Sequence, residues 1–246
     1  MTAAIRLEHV CKSFNGRHVL NDVSLDVQPG EGFCILGRSG TGKSVTLKHM
    51  IGLMAPDRGR VFVEGTDITD LSSAALTPVR RRMGFVFQNG ALFDSISVGE
   101  NVAFVVRRHE RLTEREVRSR AEEKLARVGL DRDYNKMPAA LSGGMRKRAG
   151  LARAMALNPP ILLVDEPSAG LDPITSGEID DLLLDLKVRD GTTLVFVTHN
   201  IPSARRLADT MIMLHDGRVT ASGSAGEFER NPDPLVQSFV HSSHSG

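Results

Sequence analysis

The sequence predicts an α/β domain: a mostly parallel sheet covered on both faces by helices, interrupted by a helical insertion. Three observations carry this. Short apolar runs read as strands buried on both faces, at residues 32–36, Ile161-Leu162-Leu163-Val164, Thr193-Leu194-Val195-Phe196-Val197 and Met211-Ile212-Met213-Leu214. Helical stretches lie among them at 43–53, 178–188 and 201–208, and strands alternating with helices favour parallel pairing. Residues 98–128 are helix formers with interspersed charges.

In chain order, Ile5-Arg6-Leu7-Glu8-His9-Val10 and Val23-Ser24-Leu25-Asp26-Val27 alternate with period two, with a turn-like Asn15-Gly16 between them. Residues 60–64 read as a further strand closed by Gly65. Thr113 and Glu116 form a capping box inside the charged helical stretch. Its charges read as a solvated helix face with i,i+4 pairs more readily than as a ligand patch. His215-Asp216-Gly217 reads as a tight turn between two late strands. The tail 231–246 is turn-rich, with a short helix expected through Val240 and a frayed end beyond it.

Composition excludes several classes. The 246 residues include 31 Lys+Arg and 30 Asp+Glu, for a net charge of +1, so no bulk field attracts nucleic acid or anionic lipid. With 41% hydrophobic residues the chain is not of the disordered class. One Tyr and no Trp argue against single-strand stacking surfaces. No apolar run is long enough to span a bilayer, and Met1 to Val10 lack the pattern of a signal peptide. Cys11 and Cys34 lie in strand-like apolar contexts and are expected to be reduced core residues of a cytoplasmic protein.

The most specific motif is Gly37-Arg38-Ser39-Gly40-Thr41-Gly42-Lys43-Ser44, a match to G-x4-G-K-[ST] placed between a buried strand and a helix. The glycines let backbone N–H groups converge on phosphate oxygens at a helix N-terminus. Lys43 is placed to reach the β- and γ-phosphates and the Ser44 hydroxyl to ligate Mg²⁺. A glycine-rich turn without a ligand is the weaker alternative, because motif and context agree. Asp165 and Glu166 end an apolar strand. They could be a solvent-facing strand end, or Asp165 could hold Mg²⁺ through its water shell while Glu166 polarises an attacking water. Leu141-Ser142-Gly143-Gly144-Met145 opens a helix. Taken alone it is an ordinary N-cap more readily than a second anion nest.

Together these motifs resemble those of the ATP-binding cassette (ABC) ATPases, whose signature is LSGGQ, and the resemblance covers nearly the whole chain. Gln88 in Phe85-Val86-Phe87-Gln88 stands at the Q-loop position, Ser168-Ala169-Gly170-Leu171-Asp172 looks like the D-loop, and His199 looks like the switch histidine after a strand. Phe14 falls where the family places an aromatic ring on adenine.

The resemblance implies a P-loop NTPase with a RecA-like core, an antiparallel N-terminal β subdomain and an inserted helical subdomain. The expected division is a nucleotide-binding core at 1–88 and 159–230, a helical subdomain at 89–158 and a tail at 231–246. It further implies an ATPase using ATP and Mg²⁺, with Glu166 as general base, His199 at the γ-phosphate, and Ser44, Gln88 and Asp165 serving the metal. ATP would contact Phe14, residues 37–44 and Gln88 of one copy, and Ser142, Gly143, Gly144 and Met145 of a second copy paired head to tail. Asp172 would serve in the D-loop. Met145 replaces the usual Gln and Phe14 the usual Tyr. A phenyl ring still offers a π face, and Ser142 with two glycine amides remains, so tuning is expected, not loss.

Long coiled-coil insertions of chromosome-organising relatives and the paired cassettes of translation-type relatives are absent, which leaves the motor of a membrane transporter. Gly90-Ala91-Leu92-Phe93-Asp94-Ser95, Met145, Asp172-Pro173-Ile174-Thr175 and the late segment Asn231-Pro232-Asp233-Pro234-Leu235-Val236-Gln237-Ser238-Phe239 are similar to the Mla/Mce-type lipid transporters. That likeness implies a separate transmembrane permease, an MCE-domain lipid-binding protein and a small accessory subunit, with peripheral attachment at the cytoplasmic face of the inner membrane. No nucleic-acid partner is expected. An importer of another solute, or a non-transport ATPase regulating a soluble assembly, is the alternative.

Overall fold

The computed structural model describes residues 2–241. Its first part comprises β1 (Ile5–Phe14), β2 (Arg17–Val27), β3 (Gly32–Leu36), α1 (Lys43–Met50), β4 (Arg58–Val63), β5 (Thr66–Asp67), α2 (Ser73–Arg80) and β6 (Met83–Val86). The middle is helical, with α3 (Val98–His109), α4 (Glu114–Arg127) and α5 (Gly143–Ala154). Then follow β7 (Ile161–Asp165), α6 (Pro173–Asp190), β8 (Thr193–Thr198), α7 (Ile201–Leu207), β9 (Thr210–His215), β10 (Arg218–Gly223), α8 (Ala225–Glu229) and α9 (Pro234–His241).

Two sheets result. The larger has the order β10-β9-β3-β8-β7-β6 and is parallel except for β10, which pairs antiparallel with β9. Every residue of β3, β7 and β8 is buried, as strands covered on both faces require. Side chains of β3 alternate between two apolar clusters. Phe33 and Ile35 join Leu47 and Met50 of α1 and the inner face of the second sheet, whereas Cys34 and Leu36 face the cluster built with α3 to α7. The second sheet, β2-β1-β4-β5, is antiparallel, with Ile5, Leu7 and Val10 inside and Arg6 outside. Both cysteines are free and on strands.

The structure refines several expectations. The Asn15-Gly16 turn has both residues at positive φ, and so do Asp216 and Gly217, as two-residue hairpins demand. Helix α1 stops at Met50 rather than at Leu53, because Gly52 adopts φ 67° and the Gly52 and Leu53 amides turn back to His49 and Lys48 carbonyls. The stretch 98–128 breaks before Thr113, whose capping box with Glu116 starts α4. The tail folds as α9, burying Val236, Phe239 and Val240. The expected frayed end at 242–246 lies outside the described residues. Among the described residues no helix is long and apolar enough to cross a membrane.

Helices α3, α4 and α5 pack on one another. Gly99 of α3 lies under the Tyr134 ring, where a Cβ would come within 2.3 Å of it, and the Tyr134 hydroxyl donates to Glu100. Gly99→Ala is therefore expected to destabilise the fold by about 1–3 kcal/mol through overpacking. Urea unfolding of the variant checks this, and an unchanged midpoint would mean that the ring moves aside freely.

Candidate active site

Three neighbouring parallel strands, β3, β8 and β7, end at one edge of the larger sheet, the edge at which open α/β sheets place ligands. The loop 37–42 leaves β3 there. A Cβ on Gly37 would come within 2.5 Å of the Leu214 carbonyl oxygen, and one on Gly42, which has φ 103°, within 2.8 Å of the Val19 carbonyl. Only glycine fits this tight wrap onto neighbouring backbone. The buried Lys43 turns back over the loop and donates to the carbonyls of Gly37 at 2.8 Å and Arg38 at 3.1 Å. Ser44 donates its hydroxyl to Asp165 Oδ1 at 2.8 Å, tying the end of β7 to the first turn of α1. Burial pushes the Asp165 carboxyl up, opposed by the Ser44 hydrogen bond.

Arg38, Ser39, Gly40 and Thr41 line an open cleft of about 470 Å³ with Arg17 to Val19 and the 215–217 turn. Phe14, 40% exposed, pairs with Arg17 at the tip of the adjoining hairpin.

Glu166 is held at every polar atom. Its amide donates to the Val197 carbonyl at 3.1 Å, and its carbonyl accepts from Lys147 Nζ at 2.9 Å and the Ala169 amide at 3.3 Å. Oε1 lies 3.3 Å from Lys43 Nζ, and Oε2 lies 2.9 Å from His199 Nδ1. Its φ of 48° is uncommon for a residue with a side chain and is sustained by these contacts. A carboxylate fixed between the loop lysine and a half-open histidine can accept a proton from a water lined up with a phosphate.

Gln88 is exposed two residues past β6, the strand beside β7, and makes no hydrogen bond to Ser44 or Asp165. Ser142 caps α5, its hydroxyl accepting from the Met145 amide at 3.2 Å. A Cβ on Gly144 would meet Thr175 Cγ2 at 2.5 Å, and Asp172 caps α6 by accepting from the Ile174 and Thr175 amides at 3.0 Å. The Ser142–Gly144 turn thus lies against the Asp172 loop. Among the described residues it shares no hydrogen bond or ion pair with 37–44. Met145 packs against the larger apolar cluster.

No group of three or more His, Cys, Asp or Glu among the described residues could hold a metal. The oxygens of Ser44 and Asp165, 2.8 Å apart, are hard donors that suit Mg²⁺ completed by phosphate and water oxygens.

Two further side chains at the site are not singled out by the sequence. Lys147 is buried against Glu166, and Arg153 donates to the Ala91 carbonyl at 2.6 Å and the Gly90 carbonyl at 3.0 Å just past Gln88. For Lys147 the available signal was helical phase: Gly144, Lys147 and Leu151 share one face of α5.

The family model described as ABC transporter matches residues 20–169. The chain belongs to that family. The probable ribonucleotide transport ATP-binding protein mkl of Mycobacterium leprae is 42% identical to this ABC cassette over 246 residues, all of this chain and 71% of the relative. The intermembrane phospholipid transport system ATP-binding protein MlaF of Escherichia coli K12 is 41% identical over 224 residues, 91% of this chain and 83% of the relative. A solved dimer of the ATP-binding cassette MJ0796, in a post-hydrolysis state with ADP and Pi, matches with a TM-score of 0.85 and 36% identity, over 90% of this cassette and 98% of that chain. The P-loop NTPase fold expected from the motifs is the fold observed, and the cassette is the ATPase of a transport system.

Proposed function

We propose that this cassette drives phospholipid or lipid transport in the cell envelope, through a separate transmembrane permease and with an MCE-domain protein and a small accessory subunit. The observation that carries the reading is the 41% identity to the phospholipid-transport protein MlaF across 91% of the chain. The name of the mycobacterial relative favours ribonucleotides as a second reading. An exposed pair of rings, Phe93 and Phe104, stands 5.3 Å apart beside the Gln88 segment and offers an apolar seat for a permease helix. Attachment would be peripheral, at the cytoplasmic face of the inner membrane.

In this reading two copies pair head to tail; the similar cassette solved as a dimer supports the pairing itself. Phe14 stacks on adenine, the amides of 37–44 and the Lys43 ammonium cradle the phosphates, and Ser142, Gly143, Gly144 and Met145 of the second copy close over the γ-phosphate. Ser44 and Asp165, with Gln88, would hold Mg²⁺, which when bound screens phosphate charge. Glu166 accepts the proton of the attacking water, His199 holds Glu166 and meets the γ-phosphate, and Asp172 keeps the 168–172 loop against the Ser142 turn. The core at 1–88 and 159–230 carries the chemistry, and the helices of 89–158 carry the partner contacts.

Purification of the native complex from detergent-solubilised membrane tests the proposal. A polytopic permease with bound phospholipid is the expected result. A soluble partner alone would overturn the transport reading, and ATPase stimulation by ribonucleotides but not by phospholipid would overturn the lipid one.

A further inference from the structure

Lys147 has no assigned role in that scheme, yet its setting is unusual. It lies on α5 five residues beyond Ser142, is only 7% exposed, and lines a mostly apolar pocket with Val86, Leu151, Val164, Ile179 and Leu183, with Gln88 as its one other polar side chain. Its ammonium makes one hydrogen bond, to the carbonyl of Glu166. A buried charge with a single neutral acceptor is a poor choice for stability, since an apolar side chain of similar length would fill the same pocket without the desolvation cost. Burial pulls the Lys147 ammonium down to about 8, although the carboxylates of Glu166 and Asp165 favour its charge.

The bond lands where it has leverage. Glu166 sits at φ 48°, so its peptide planes, and with them the direction of its side chain, depend on what holds the flanking polar groups. The amide is held by β8, and the carbonyl by Lys147 together with the amide of Ala169 at the start of the 168–172 loop. Lys147 is therefore the side chain that connects the helix opened by Ser142 to the backbone of the carboxylate.

We propose that Lys147 is a positioning residue for hydrolysis: from the helix that begins at Ser142 it fixes the Glu166 backbone, so that the carboxylate faces the attacking water only when that helix is seated. The inference rests on Glu166 being the general base. A displacement of α5 that accompanies engagement of Ser142 by the second copy's nucleotide is then felt at the first copy's own base. Hydrolysis becomes sensitive to the helical insertion without any change at the phosphate-binding loop.

The test measures kcat, KM and ATP affinity for Lys147→Met, Lys147→Gln and Lys147→Arg in the full chain, with Glu166→Gln alongside. Rates are referred to the fraction that binds ATP, so partial misfolding does not imitate the effect. Lys147→Met is expected to lose about 10–100-fold in kcat with KM and ATP affinity within about threefold, and with Tm unchanged or raised. Lys147→Gln, too short to reach the carbonyl, is expected to behave like it, whereas Lys147→Arg keeps a donor and recovers most of the rate. Full turnover in Lys147→Met and Lys147→Gln would overturn the proposal. So would equal losses in all three variants, or a lowered Tm in Lys147→Met that accounts for the lost activity, because either result assigns Lys147 to packing. Turnover surviving in Glu166→Gln would instead remove the base assignment on which the inference stands.

Discussion

Glu166→Gln is expected to lower ATP turnover by about 10²–10⁴-fold, the usual worth of a positioned general base. The amide has the volume of the carboxylate and keeps an oxygen for Lys43 Nζ, 3.3 Å from Oε1 in the wild type, so the neighbouring loop is not disturbed. ATP affinity should stay within about threefold, because the groups that the proposed function places around ATP (the amides of 37–44, Lys43 and Phe14) are untouched. With binding intact and hydrolysis blocked, ATP should accumulate a stable pair of cassettes, read as a shift in elution volume on size-exclusion chromatography. Normal turnover in the variant would sink the assignment of the base. Slow turnover without a trapped pair would sink the head-to-tail arrangement.

Lys43→Ala is expected to act on the other side of the reaction. Lys43 is 6% exposed, and its ammonium bridges the carbonyls of its own loop to Glu166. A charge-assisted contact to phosphate is worth about 1.5–3 kcal/mol, so its loss should weaken ATP binding by one to two orders of magnitude. Glu166 loses the ammonium 3.3 Å from its Oε1 in the same step, so kcat measured at saturating ATP should fall as well. Isothermal calorimetry and steady-state assays separate the two effects, and unchanged ATP affinity would show that Lys43 serves Glu166 and not the nucleotide.

Much of this is legible in the sequence, for identifiable reasons. Strands β3, β7 and β8 announce themselves because a strand buried on both faces has to be apolar at every position. The 37–44 loop is legible because its glycines answer to steric demands, and Ser44 and Asp165 do meet. Other parts leave little trace. Strand β6 is four residues long and contains Gly84, and α2 carries Pro78 within it, so neither reaches the length at which periodicity speaks. In Met145-Arg146-Lys147-Arg148 three consecutive cations carry no residue-type mark of which one is buried, and the fold turns Lys147 inward. The left-handed backbone of Glu166 has no residue-type signal either, since it is imposed by contacts from β8 and α5.

The order of the strands carries a mechanical consequence. Because β8 lies between β3 and β7, the loop bearing His199 rises between the strand that launches the phosphate loop and the strand that ends at Asp165. Two adjacent ladders lock these parts to one another, and close-packed apolar layers on both faces resist shear. The sheet therefore serves as a stationary chassis. Under the proposed function, work drawn from ATP would leave through the α3–α5 unit mounted on it, along α5 from the Ser142 end to the Arg153 end, whose guanidinium donates to the Ala91 and Gly90 carbonyls beside Phe93.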